Sequence, residues 1–166
     1  MRRVLEPLVT GLWLGLAQVA LSFALLVGAG ASALQVFLVT AAWLAGGAIG
    51  TRSQRSTPLL ALALAALVVG RLALAFAPFA RGATALALVA AVACGAYAGS
   101  FLATRATIFG DARAVLFHEN NGFLAGWILG GVMLFVHPLG LDVIVLVLGV
   151  GLVAEALKVG PRRLVG

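Results

Sequence analysis

Six apolar runs divide the chain, near residues 8–29, 33–50, 58–78, 83–104, 119–137 and 140–158. Each is close to the length that crosses a bilayer as a helix, about 20 apolar residues. The breaks between them carry turn chemistry or charge: GAGAS, TRSQRSTP, APFARG, RATIFGDARAVLFHEN and HPLGLD, with KVGPRRLVG as the tail. Of the 166 residues, 63% are hydrophobic and 10% charged, where soluble domains average about 25% charged. So apolar a chain cannot cover itself with polar surface, and a bilayer is its natural solvent. The predicted fold is all-α and integral to the membrane: one domain over 1–166 with six transmembrane helices. Pro58 suits the first turn of the third helix, and Pro78 and Pro138 suit the exits of the third and fifth. No break is long enough to hold a separate soluble domain. The longest, RATIFGDARAVLFHEN, is expected to be a loop, its AVLF segment either a connector or a short interfacial turn.

The first run follows a basic start and ends in small residues, as signal peptides do. At about 20 residues it exceeds the usual apolar core of 7–15, so it is expected to stay as the first helix. The net charge of +6 does not point to nucleic acid, because the basic residues are scattered at the ends of apolar runs. Their distribution orients the chain instead. With the N-terminus inside, Arg2, Arg3, Arg52, Arg55, Arg105, Arg113, Lys158, Arg162 and Arg163 fall on the inner side. Only Arg81 falls outside, and Arg71 lies within the third helix. This positive-inside bias predicts that both termini are cytoplasmic. Ten of the eleven basic residues are arginine, and the Ala, Val, Leu and Gly excess suggests a bacterial source, hence the inner membrane.

A repeat emerges from spacing. GLWLG at Gly11–Gly15 matches GAYAG at Gly95–Gly99, and WLAGG at Trp43–Gly47 matches WILGG at Trp127–Gly131. Both matches have one offset, since 95 − 11 and 127 − 43 each give 84. The expectation is two three-helix halves, about 1–82 and 83–166, in inverted topology because each holds an odd number of helices. Glycines four apart mark close helix contacts in lipid: Gly11 and Gly15, Gly46 and Gly50, Gly95 and Gly99, and Gly122, Gly126 and Gly130. These are expected to pack within the bundle, with contact to another subunit as the sharper alternative.

Polar groups inside the apolar runs are few, and each is a candidate. His118, Glu119, Asn120 and Asn121 precede the fifth run. They suit a helix cap at the membrane surface, or a polar patch that binds a ligand or partner at the inner mouth. Gln18 lies near the middle of the first helix and needs an interhelical partner, with Tyr97 a candidate by depth. Arg71 lies thirteen residues past Pro58, about 20 Å along the third helix. It is expected to be structural or to snorkel to the outer interface, to meet a partner subunit or lipid headgroup, or to serve a substrate or ion. Glu155 is placed to pair locally with Lys158. HPLGLD, with His137 and Asp142, is expected to be a solvated turn. His118 and His137 are too far apart on one helix to ligate one metal. Cys94, the single cysteine, reads as a small core residue.

GAYAGSFLATRATIF, a polar loop, and ENNGFLAGWILGGVMLFVHPLGL follow one another in the second half. This order resembles the membrane domain of bacterial spermidine synthase-like (polyamine aminopropyltransferase-like) proteins, and AAWLAGGAIGTR is similar to the early helices of that domain. The domain in turn looks like a six-helix half of a major facilitator transporter. The resemblance implies a six-helix membrane fold. It does not imply aminopropyl transfer, because no glycine-rich cofactor loop with a following acidic residue is present. No catalytic, cofactor-binding or metal-ligating set stands out, and an enzyme is not expected. The leading expectation is a non-catalytic anchoring or accessory subunit of a larger membrane complex, in contact with lipid and with other subunits or a second copy of itself. The alternatives are a minimal transporter of a small or amphiphilic solute, working alone or as a homodimer, and a haem- or pigment-holding electron-transfer subunit. For a transporter the midplane polar residues are Gln18, Thr40, Tyr97 and Ser100, with Arg71 off-centre.

Overall fold

The computed structural model describes residues 2–159, so the basic tail with Arg162 and Arg163 lies outside the described residues. Those residues form six helices: α1 (Arg2–Ala29), α2 (Ala33–Gly50), α3 (Ser56–Phe76), α4 (Arg81–Phe109), α5 (Ala112–Val136) and α6 (Pro138–Val159). No strand occurs among them. Five helices are long and apolar enough to cross a membrane. The exception is α5, because Glu119, Asn120 and Asn121 fall inside it and dilute its apolar run.

That placement corrects two sequence expectations. The segment expected as the longest loop is almost entirely helical, and the connection between α4 and α5 is Gly110–Asp111 alone. Gly110 adopts φ +68°, and its N–H donates to the Ala106 carbonyl, closing α4. Glycine takes this left-handed conformation without a Cβ clash. Asp111 then caps α5, its side chain accepting from the Ala114 N–H at 3.0 Å. Asn120 and Asn121 are therefore not caps; they sit in the third turn of α5 with Glu119. The other end of α5 needs a smaller correction. His137 closes it through its N–H to the Met133 carbonyl, and Pro138 opens α6 rather than ending α5. Proline at a first helical position loses no hydrogen bond.

The helices run up and down. The starts of α1, α3 and α5 and the ends of α2, α4 and α6 share one end of the bundle, here called basal. The opposite end is apical. Two helices sit at the centre. α1 packs mainly on α5, and α4 packs mainly on α2 and α3. Trp13, Leu14, Leu16 and Leu21 of α1, and Cys94, Tyr97 and Phe101 of α4, are buried. The two central helices meet through Trp13 and Tyr97, whose rings form an edge-to-face pair at 5.8 Å.

Glycine decides which helices touch. A Cβ at Gly11 or Gly15 would overlap the α5 carbonyls of Glu119 and Phe123. One at Gly122 or Gly126 would overlap the α1 carbonyls of Leu8 and Leu12. The α2–α4 crossing is built the same way: Gly46 and Gly50 lie on the Val92 and Ala96 carbonyls, and Gly95 and Gly99 on those of Trp43 and Gly47. Gly130 packs on the Val19 side chain instead, with the position of its Cβ 3.1 Å from that of Val19. In lipid, apolar surface alone does not drive helices together, so such close backbone contact carries the association. α6 is attached more lightly. One tie is the Trp13 indole N–H, which donates to the Val145 carbonyl at 2.9 Å.

Candidate functional site

The glycine faces leave a gap. α5 grips α1 and α2 grips α4, so α2 and α5 stand beside each other without a comparable contact. Between them opens a cleft of about 390 Å³ with α1 behind it. α1 supplies Gln18, and α2 supplies Thr40, Trp43 and Leu44. α5 supplies Glu119, Asn120, Phe123 and Trp127. Helical geometry explains the grouping. Residues 40, 43 and 44 share one face of α2, and residues 119, 123 and 127 share one face of α5, since side chains three and four apart are neighbours. The glycines used for packing lie on adjacent faces of the same helices.

Within the cleft, the Trp127 indole N–H donates to the Gln18 amide oxygen at 3.2 Å. Gln18 thus has the interhelical partner its position required, but it is Trp127 rather than Tyr97. The Thr40 hydroxyl donates to the Val36 carbonyl of its own helix at 2.9 Å. Glu119 is half-buried, and its carboxylate forms no ion pair among the described residues. An ionisable group in a membrane helix ordinarily faces a partner or a polar cavity; here it faces the cleft.

The other carboxylates that meet the bundle interior are neutralised. Arg71 pairs with Asp142 of α6 and also donates to the Ala20 carbonyl of α1 at 3.2 Å. One guanidinium therefore ties α1, α3 and α6 together near the apical end. This overturns the solvated-turn expectation for Asp142, which lies within α6. Basally, Arg105 of α4 pairs with Glu6 of α1 and lies 5.7 Å from the Phe101 ring centre. The Lys158–Glu155 pair expected from spacing is present at 3.1 Å.

The remaining candidates disperse. Tyr97 is buried between the central helices, away from the cleft. Ser100 is also buried and donates to the Ser53 carbonyl at 2.8 Å, fastening α4 to the α2–α3 connection. His118 stacks edge-on against Phe117 at 5.4 Å, and Asn121 is exposed; neither lines the cleft. The Nδ1 of His137 accepts from the Gly140 N–H at 3.2 Å, a turn contact at the apical end. His118 and His137 thus lie at different depths of the molecule. Among the described residues no three His, Cys, Asp or Glu side chains gather as metal ligands.

Sequence reasoning reached Gln18, Glu119 and Asn120 but missed Trp43 and Trp127 as cleft walls. Both tryptophans were visible as the matched WLAGG and WILGG positions, a signal that was used for the repeat alone. It also missed Glu6 as the partner of Arg105. No protein-family model, curated protein or solved structure matches this chain.

Proposed function

We propose that this chain is a small non-catalytic membrane protein that binds an amphiphilic solute in the α2–α5 cleft and carries it across the bilayer. One observation carries the reading: a carboxylate without an ion pair among the described residues, two amides, one hydroxyl and two indoles line a single cleft together with Leu44 and Phe123. So few polar groups along the helices would disfavour sugars or inorganic ions. They would not disfavour a solute that is itself mostly apolar.

The reading includes a duplicated, inverted three-helix plan, both termini cytoplasmic, and the bacterial inner membrane as location. The two glycine crossings, α1 on α5 and α4 on α2, support the duplication. Gly11 corresponds to Gly95 at offset 84, but the carbonyls that receive them, Glu119 and Trp43, differ by 76. The halves then share a crossing while the partner helix has slid eight residues, about two turns. That slide sets Glu119 in one crossing where Trp43 stands in the other.

The accessory-subunit reading keeps one specific support. The cleft opens sideways from the bundle, flanked by exposed Leu44, Leu124 and Ile128, so a neighbouring chain or second copy would close it. The deciding experiment is extraction in mild detergent with every co-migrating chain identified, followed by flux in liposomes. A lone chain or dimer that moves an amphiphilic solute supports transport. Fixed-stoichiometry partners with no flux support the subunit instead.

A further inference from the structure

We infer that the cleft selects amphiphilic monovalent cations: a single ammonium or phosphonium centre on an apolar body. This rests on the solute-binding reading above and narrows it to a substrate class.

The charge comes first. Among the described residues, Glu119 is the one acidic side chain lining the cleft, and no basic side chain lines it. A carboxylate with no counter-charge in an apolar surround strongly favours an incoming cation and repels an anion. One carboxylate balances one positive charge. A dication or polyamine would bring a second charge that no wall residue meets, at a large desolvation cost.

The walls come second. Trp43 and Trp127 rise from the two helices that bound the opening. Indole faces attract cations within about 6 Å of the ring centre, and more strongly when water is excluded. Trp127 is held by its hydrogen bond to Gln18, which restrains the ring before any ligand arrives. Such restraint lowers the ordering cost of binding. The orientation of the cation's apolar part follows from Leu44 and Phe123, the remaining apolar walls. A strongly hydrated cation such as sodium gains little here, since Gln18, Asn120 and one carboxylate do not replace a hydration shell.

The test uses the full chain in lipid nanodiscs with labelled tetraphenylphosphonium, and tetraphenylborate as the probe of the same shape and opposite charge. Empty nanodiscs give the partitioning background. Saturable tetraphenylphosphonium binding is expected, with no saturable tetraphenylborate binding. Glu119→Gln should weaken it at least about tenfold, which is about 1.4 kcal/mol. Glu119→Asp should stay within about threefold of the parent, and Trp43→Leu should weaken binding several-fold. Equal saturable binding of both probes, or an undiminished Glu119→Gln variant, overturns the assignment. If Glu119→Gln fails to fold, the two-probe comparison and Glu119→Asp still decide it. The two proposals fail separately. Glu119-dependent binding without flux in liposomes removes transport and leaves the cation site. Flux of another solute without tetraphenylphosphonium binding removes the cation site and leaves transport.

Discussion

At Gly11 the missing side chain matters more than any side chain nearby. A Cβ there would overlap the backbone carbonyl of Glu119, and a carbonyl inside a helix cannot swing aside as a flexible side chain can. At Gly131, about three turns beyond Glu119 on the partner helix, a Cβ meets nothing within 4 Å. The two positions make a controlled pair. Gly11→Ala should destabilise the protein by about 1–3 kcal/mol through overpacking, and Gly131→Ala should be neutral or slightly stabilising because alanine orders a helix more readily. Thermal unfolding in detergent, followed by tryptophan fluorescence, checks both; equal effects would mean that the α1–α5 contact is looser than described here. The same contrast shows what was legible at this scale. Spacing of four marks a glycine as a packing candidate, and it marked Gly130 as readily as Gly122. It does not reveal whether the facing surface is backbone, as at Gly122, or a valine side chain, as at Gly130.

The boundary between α4 and α5 is where element-level reasoning went astray, for a physical reason. Hydropathy reports where lipid begins, whereas capping reports where a helix begins. The two coincide for α2, whose N-cap Ser32 accepts from the Gln35 N–H at 3.3 Å just before the apolar run. They diverge for α4, whose 29 residues span about 44 Å at 1.5 Å each, well beyond a hydrocarbon core of about 30 Å. The basal ends of α4 and α5 thus continue as helix past the apolar stretch, and their true punctuation is Gly110 and Asp111. Asp111→Ala should cost about 1 kcal/mol by removing the cap, with faster amide hydrogen exchange in the first turn of α5. Asn120→Ala should leave that exchange unchanged, because Asn120 caps nothing. A reversed pattern would restore the helix start to the HENN segment.

Across the whole molecule, the ion pairs separate what a sequence shows from what only a fold assembles. Glu155 and Lys158 are three apart and were legible as helix neighbours. Arg71 and Asp142 lie 71 positions apart and Glu6 and Arg105 lie 99 apart, and no local spacing links them. Each pair was therefore seen as single charges: Arg71 as a lone candidate inside the third helix, and Arg105 only in the count of positive residues. That count still serves orientation, since pairing changes where a charge is held and not which end of the bundle it occupies. Arg52, exposed after α2, marks the basal end, and Arg81, exposed at the start of α4, marks the apical end. The single cysteine, Cys94, is buried, so the native chain should react poorly with a membrane-impermeant maleimide. Arg81→Cys should label in intact cells, and Arg52→Cys should label only after the membrane is opened. The opposite pattern would invert the chain, placing Glu119 and the basal side of the cleft toward the outside. Labelling of both positions in intact cells would mean that the up-and-down bundle does not span the membrane as a unit.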